Sequence, residues 1–275
     1  MSEFGFSDRV AVTDEDRARY LEFAGRAVCA GGAHTLPYFR TQLLVEDKRL
    51  GGVFDPVTAA DRACEAVIRD AIKSEFPTHG IMGEEYGFEP GNGLTWVIDP
   101  IDGTRAFMSG MVHWGVLLGL FDGQDVVAGA MYQPFTEELF VGDGYRSIYR
   151  RGEVTQMMSA SSCTQIDQAV FATTGLEWAD EVDRDAMNRM IDRVRLSRVG
   201  GDCYLHAMVG MGTVDFSCDA HLQPYDIQAL VPIVRGAGGV VTTITGENPS
   251  MGGTIVCAAN PTLYEIVMDV AGRRQ

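Results

Sequence analysis

Basic residues are scarce in this 275-residue chain, where 22 lysines and arginines face 38 aspartates and glutamates for a formal charge of −16. Such a field repels nucleic acid and anionic membrane, because phosphate backbones are gripped by clustered Lys and Arg. It also repels small anions, so a phosphate-binding role demands local positive charge, and divalent cations are the obvious source. Cysteine is sparse and unpatterned. The six, at positions 29, 64, 163, 203, 218 and 257, contain no Cys-x-x-Cys pair, which argues against a zinc site and for buried, reduced thiols. No apolar run approaches ~18 residues, which excludes a spanning helix. The start MSEFGFSDRVAVTDEDRARY lacks the basic segment and apolar centre of a secretory leader, so the expected address is the cytoplasm. The nucleotide loop G-x-x-x-x-G-K-[ST] is missing, which speaks against a kinase. Repeats and low-complexity tracts are missing as well.

What remains is an ordinary globular composition, 46% hydrophobic and 22% charged. Apolar periodicity predicts a helix from Thr13-Asp14 to about Ala30 and a second one capped by Thr58 that stops before Pro77. The segment 31–53 reads as irregular, with a short helix near Leu36–Leu44. Strands are expected at Ile81-Met82, Thr95–Ile98, Trp114–Phe121, Val126–Tyr132, Glu138–Val141 and Ser147–Tyr149. Beyond about 155 helices and strands alternate, with helices at Asp180–Val194, Cys203–Gly210, Asp226–Arg235 and Thr262–Val270. The strands between them are expected at Ala169–Ala172, Arg195–Arg198, Val214–Cys218, Val240–Thr243 and Thr254–Ala258. An N-terminal α+β half, 1–155, is thus expected beside a C-terminal α/β half, 156–275.

Four acidic segments carry the chemistry. In Trp96-Val-Ile-Asp99-Pro-Ile-Asp102-Gly-Thr104 an apolar strand ends in a carboxylate, and Pro100 forbids a helix across it. The forced turn leaves the Ile101 carbonyl available and lets Asp102 point back toward Asp99. Gly103 permits close backbone approach, and Thr104 starts a helical turn whose amides suit phosphate. Two carboxylates and a carbonyl form a hard-oxygen site suited to Mg²⁺. In Gly83-Glu84-Glu85, alternation sends one glutamate to a site and the other to solvent, without saying which. In Asp55-Pro-Val-Thr-Ala-Ala-Asp61 the ordinary reading is a helix cap at Thr58 with Asp61 in the first turn. The alternative is that Asp61 holds a metal-bound water. Asp226, in Pro224-Tyr-Asp226, reads either as a cap of the following helix or as a metal ligand.

Taken together, the segments D-x-V-T-x-x-D, G-E-E, W-x-I-D-P-I-D-G-T and Y-D-x-x-A before Gly236-Ala-Gly-Gly239 resemble the inositol monophosphatase superfamily over roughly residues 15–270. The resemblance implies a layered α-β-α-β-α sandwich, usually a homodimer, acting on a small phosphate monoester. It implies Mg²⁺ ligation by Glu84, Asp99, the Ile101 carbonyl, Asp102 and Asp226. It further implies a metal-bound water at Asp61 and a hydrogen bond from Thr104 to the attacking water or phosphate. Asp61, Thr104 and Glu84 are then the catalytic set. No side-chain nucleophile is needed, so Ser109, the cysteines and His113 are expected to be structural.

Finer features resemble the histidinol-phosphate phosphatases of that superfamily: Arg105-Ala-Phe107, Gly200-Gly-Asp202-Cys-Tyr204 and Leu222-Gln-Pro-Tyr-Asp226. Gly103, Thr104, Arg105, Asp202 and Asp219 are the expected substrate contacts, with acids to meet an amine and an imidazole. Asp202 as a mere helix cap and Asp219 as loop surface are the ordinary alternatives, and Arg105 could face phosphate or a carboxylate. Inositol-1-monophosphatase or broad phosphomonoesterase activity is the alternative function. A catalytically degenerate metal-binding regulator is the alternative from another class.

Overall fold

The computed structural model describes residues 9–41, 46–47, 56–57 and 59–272. Thr13 accepts a hydrogen bond from the Asp16 amide and so starts α1 (Asp14–Ala33). A two-residue ladder pairs β1 (Glu46–Asp47) with β2 (Pro56–Val57), and α2 (Ala59–Glu75) follows. The expected cap Thr58, like Asp55, lies outside the described residues. Next come β3 (Gly80–Gly83), β4 (Gly87–Glu89), β5 (Thr95–Asp102), the short α3 (Thr104–Met108), β6 (Gly115–Phe121) and β7 (Val126–Gln133). Then follow β8 (Glu138–Gly142), β9 (Ser147–Arg151) and β10 (Val154–Met157), the last of which runs across the boundary expected at 155. The sheet they build runs β10-β9-β8-β7-β6-β5-β3-β4 and is antiparallel except where β3 lies parallel to β5.

The second sheet is assembled from β11 (Val170–Thr173), α4 (Glu181–Ile191), β12 (Leu196–Val199), α5 (Asp202–Gly210) and β13 (Phe216–Leu222). It is completed by α6 (Pro224–Ile227), α7 (Leu230–Gly236), β14 (Val240–Thr243), β15 (Gly253–Ala258) and α8 (Pro261–Ala271). Its strand order is β12-β11-β13-β15-β14, parallel over the first three strands and antiparallel over the rest.

Apolar side chains show how the layers stack. Val116, Leu118 and Leu120 of β6 pack with Ala24 and Val28 of α1 and Ile68 and Ile72 of α2. Their neighbours Leu117 and Phe121 point the other way, into a core shared with Ala207, Ile227, Ile233 and Ile255. A strand buried on both faces needs a continuous apolar run rather than alternation, and β6 has one. Phe171 and Phe216 face Met187 and Met190 of α4 and Leu263 and Val267 of α8. The result is a layered α-β-α-β-α sandwich, as expected.

Three local expectations change. The helix foreseen at Asp226–Arg235 is two helices, α6 and α7, because Pro232 has no N–H to continue the ladder back to Gln228. Strands β4 and β10 were not foreseen; every residue of β10 is exposed, so no apolar pattern marks it. Up to Thr41 the segment at Leu36–Leu44 forms consecutive turns rather than a helix, and 42–44 lie outside the described residues.

A row of glycines sets how closely the middle helices approach the first sheet. Gly119, Gly129 and Gly142 are cross-strand partners on β6, β7 and β8. A Cβ at Gly129 would lie 2.0 Å from the Ala229 carbonyl oxygen, and one at Gly142 would lie 2.5 Å from Cα of Ile233. Backbone therefore rests on backbone here. Gly129→Ala is expected to destabilise the protein by about 1–3 kcal/mol, since the neighbour is main chain and cannot swing aside. Urea unfolding checks this, and a wild-type midpoint would contradict the close approach.

Candidate active site

The carboxylates converge because of an irregularity in β5. In a regular strand, residues three apart face opposite sides. Asp99 pairs with Leu117 and Asp102 with Gly115, so β5 spends one residue more than β6 over this stretch. That bulge, at Pro100-Ile101, returns Asp102 to the side of Asp99. Asp99 Oδ1 accepts the Ile101 amide at 3.0 Å, which closes the turn. Gly103 follows with φ of 85°, and a Cβ there would sit 2.6 Å from the His113 carbonyl oxygen. Thr104 Oγ1 donates to the Ile101 carbonyl at 3.1 Å. That carbonyl is therefore engaged rather than free, with its second lone pair left over.

Asp226 arrives from the other half of the chain. It is not the cap of its helix. Gln223 holds that position, and Asp226 Oδ2 accepts the Gln223 amide at 2.7 Å. Oxygens of Asp99, Asp102 and Asp226 all lie within 4.8 Å of one another. Asp102 Oδ1 also accepts the Cys203 amide at 2.9 Å, so it caps α5 from across the interface. Asp202, for which a helix cap was the alternative reading, is instead the first residue of that helix, with φ of 46°.

This cluster is electrostatically strained. Burial raises the Asp99 carboxyl well above the usual range, with Glu84, Asp102, Asp226 and Asp61 adding to it. Burial also raises Asp102, followed by Asp226 and Asp202, while the Cys203 amide opposes the shift. Asp202 is pushed up to about 7 from an ordinary 3.8, first by burial and then by Asp219, with Arg105 and His206 pulling it down. Mutually repelling, buried acids with hard oxygen donors call for a divalent cation, and this donor set fits Mg²⁺ in the chemistry of its ligands.

Glu84 and Asp61 complete the surroundings. Glu84 lines the cavity with Asp99, whereas the Glu85 side chain is buried against Arg62 at 3.6 Å. The structure therefore turns Glu84, not Glu85, toward the acids. Asp61 is buried at 3% exposure in the first turn of α2 and lies near enough to raise Asp99.

Glu84, Asp99, Asp102 and Asp226 line a cavity of about 470 Å³ that also takes in Gly103, Thr104, Arg105, Asp202 and Asp219. Asp219 is not loop surface. It lies buried in β13 and accepts from Thr173 Oγ1 at 3.0 Å, the Thr174 amide at 2.6 Å and Thr174 Oγ1 at 2.9 Å. His206 Nε2 is 3.2 Å from Asp219 Oδ2. With both oxygens engaged, Asp219 braces the loop after β11. That loop carries Trp178, whose ring lies 3.9 Å from the Arg105 guanidinium carbon. Arg105 thus stacks on an aromatic face, with its charge felt by Asp202.

Trp178 and His206 were not foreseen. Nothing local marks Trp178, whereas His206 stands one helical turn after Asp202, a spacing that the sequence does show. In the metal-free protein Asp202 has a folded pKa raised above its ordinary value, so its contribution to stability is full below about 4 and is lost as pH rises toward 7. In EDTA, Asp202→Asn is expected to flatten part of the fall in melting temperature across that window. An unchanged pH slope in scanning calorimetry would contradict the shift.

Comparison with known proteins agrees with this geometry. The sequence model of the Inositol monophosphatase family matches residues 16–273. The chain is 34% identical over 239 residues to the chloroplastic bifunctional phosphatase IMPL2 of Arabidopsis thaliana, covering 86% of this chain and 67% of that one. It is 35% identical over 246 residues to a histidinol-phosphatase of Chlorobaculum parvum, covering 87% and 90%. Among solved structures, an inositol monophosphatase from Zymomonas mobilis superposes with a TM-score of 0.82 at 30% identity, covering 92% of this chain and 98% of that one. The chain belongs to the inositol monophosphatase family and is a phosphatase of that family.

Proposed function

We propose that the protein is a Mg²⁺-dependent phosphomonoesterase that converts L-histidinol phosphate and water to L-histidinol and phosphate. The observation that carries the substrate choice is that Asp202 lines the same cavity within reach of the Arg105 charge, with Arg105 stacked on Trp178. An acid in the cavity suits the ammonium of histidinol phosphate, and inositol offers no such group. Similarity to a histidinol-phosphatase supports the same reading. Similarity at 30% identity to an inositol monophosphatase keeps inositol 1-phosphate as the second reading.

Glu84, Asp99, the Ile101 carbonyl, Asp102 and Asp226 are the residues that would hold the metal. Bound Mg²⁺ supplies positive charge for the phosphate and lowers the pKa of water. The chain's own residues do the rest. Thr104 spends its hydroxyl proton on Ile101, which leaves its lone pairs to accept from a water. Asp61 stands as a second acceptor for that water. Attack at phosphorus breaks the P–O bond to the alcohol, which leaves with a proton. Positioning and charge stabilisation are the protein's main contributions to such a transfer.

The test is phosphate release with Mg²⁺ from L-histidinol phosphate and from myo-inositol 1-phosphate at equal concentrations. A large preference for the first is expected. Preference for the second would reassign the substrate and leave the metal assignment standing, while no turnover of any monoester would point to a regulator.

A further inference from the structure

Three residues of α2 lie four apart on one face: Asp61, Glu65 and Arg69. The first faces the acidic cluster. The other two form an ion pair of 2.7 Å beneath the loop that presents Glu84, with side-chain exposures of 0% for Glu65 and 6% for Arg69. Glu65 is spread across that loop. Its Oε2 accepts the Glu85 amide at 2.8 Å and its Oε1 accepts the Tyr86 amide at 3.2 Å. Arg69 donates onward to the Gly87 carbonyl and, at 2.9 Å, to Glu89 Oε1. Glu65 and Arg69 thereby tie residues 85–89, the turn and β4, to α2 at four points. Gly83 is part of the same device, because a Cβ there would lie 1.9 Å from Glu65 Oε1.

We propose that Glu65 is a positioning residue that fixes the backbone around Glu84 so that its carboxylate faces the metal site before a cation arrives. Two amides pointing at one carboxylate leave the chain little freedom at the residue just before them. Arg69 supplies the opposite charge that a buried carboxylate requires. The charge of Glu65 is spent on main-chain amides and Arg69, which gives this acid a role different from that of the acids in the cavity. The inference rests on Glu84 as a metal ligand.

Mg²⁺ and Mn²⁺ binding to the full chain, followed by calorimetry without substrate, tests both steps. Glu84→Gln comes first, and unchanged metal affinity in that variant would remove the ligand assignment itself. Glu65→Gln places a donor where one loop amide already points. It is expected to weaken metal binding about 10-fold, the scale of a lost outer-shell partner. The Mg²⁺ concentration for half-maximal phosphate release should rise in parallel, while KM for the ester at saturating Mg²⁺ stays put. Weaker binding in Glu84→Gln with wild-type affinity in a folded Glu65→Gln overturns the positioning role alone. If Glu65→Gln does not fold, Arg69→Lys carries the test, since it keeps the charge but loses the fork that reaches Gly87 and Glu89. It is expected to shift metal affinity in the same direction, and wild-type affinity there overturns the proposal.

Discussion

Asp99→Asn should abolish phosphate release, by on the order of 10³-fold or more, while making the metal-free protein more resistant to heat. The two effects have one cause. Asp99 is 2% exposed, and Glu84, Asp102, Asp226 and Asp61 all press on its charge. Without a cation, ionising it works against the fold, so an amide of the same shape relieves the repulsion. With a cation, the same charge is what binds. Melting curves of wild type and variant should therefore cross as Mg²⁺ is added, with the variant ahead in EDTA and the wild type ahead at saturation. The amide can still accept from Ile101 as Asp99 does, so the turn at Pro100 survives. A variant that hydrolyses substrate at the wild-type rate would remove Asp99 from the metal site. One that melts lower in EDTA would show that the cluster is not strained.

Asp202→Asn should cost on the order of 10²-fold in kcat/KM for L-histidinol phosphate and far less for myo-inositol 1-phosphate. The backbone at this residue has φ of 46°, which asparagine tolerates well, so the variant isolates charge from conformation. The ester of an amino alcohol loses the carboxylate that meets its ammonium, whereas a polyol has no such group to lose. Trp178→Ala should lower the same ratio by removing the face against which Arg105 lies. Steady-state kinetics with both esters decides the matter. Equal losses on both would make Asp202 a support of the α5 start rather than a selector.

Much of the site can be read from the chain because its geometry is local. An apolar strand, a proline and two aspartates three apart dictate a turn, and the bulge at Pro100-Ile101 is how the sheet accommodates it. The choice of Glu84 over Glu85 is not local. It is made by Glu65 and Arg62 on a helix that the loop meets only after folding. Asp219 was expected in the substrate pocket, with loop surface as the alternative, and it does line the cavity. What the chain did not show is its bracing role, because its partners Thr173 and Thr174 lie on β11 and the loop beyond, far away in sequence. The change of apolar period along the chain indicated an α+β half followed by an α/β half, while the layered sandwich was implied by the resemblance to the family. Pro232 was visible throughout, and its effect on the ladder behind it would have divided the helix at Asp226–Arg235 in advance.

The glycine row also bears on the size of cation that the proposed site would take. Asp102 and its partner Cys203 are 101 residues apart in the chain, and Asp226 comes from the same distant half. The bulge in β5 sets Asp102 relative to Asp99, whereas Asp226 is placed by the segment that rests on Gly119, Gly129 and Gly142. Those positions act as a gauge block: any side chain added there lifts the segment that carries Asp226 and widens the ring of oxygens. Mg²⁺ demands short bonds in a near-ideal octahedron, and Ca²⁺ accepts longer, looser ones. Gly129→Ala is therefore expected to narrow any preference of the proposed site for Mg²⁺ over Ca²⁺, read from the two affinities by calorimetry. An unchanged ratio would show that the three glycine hydrogens have no part in sizing the ion.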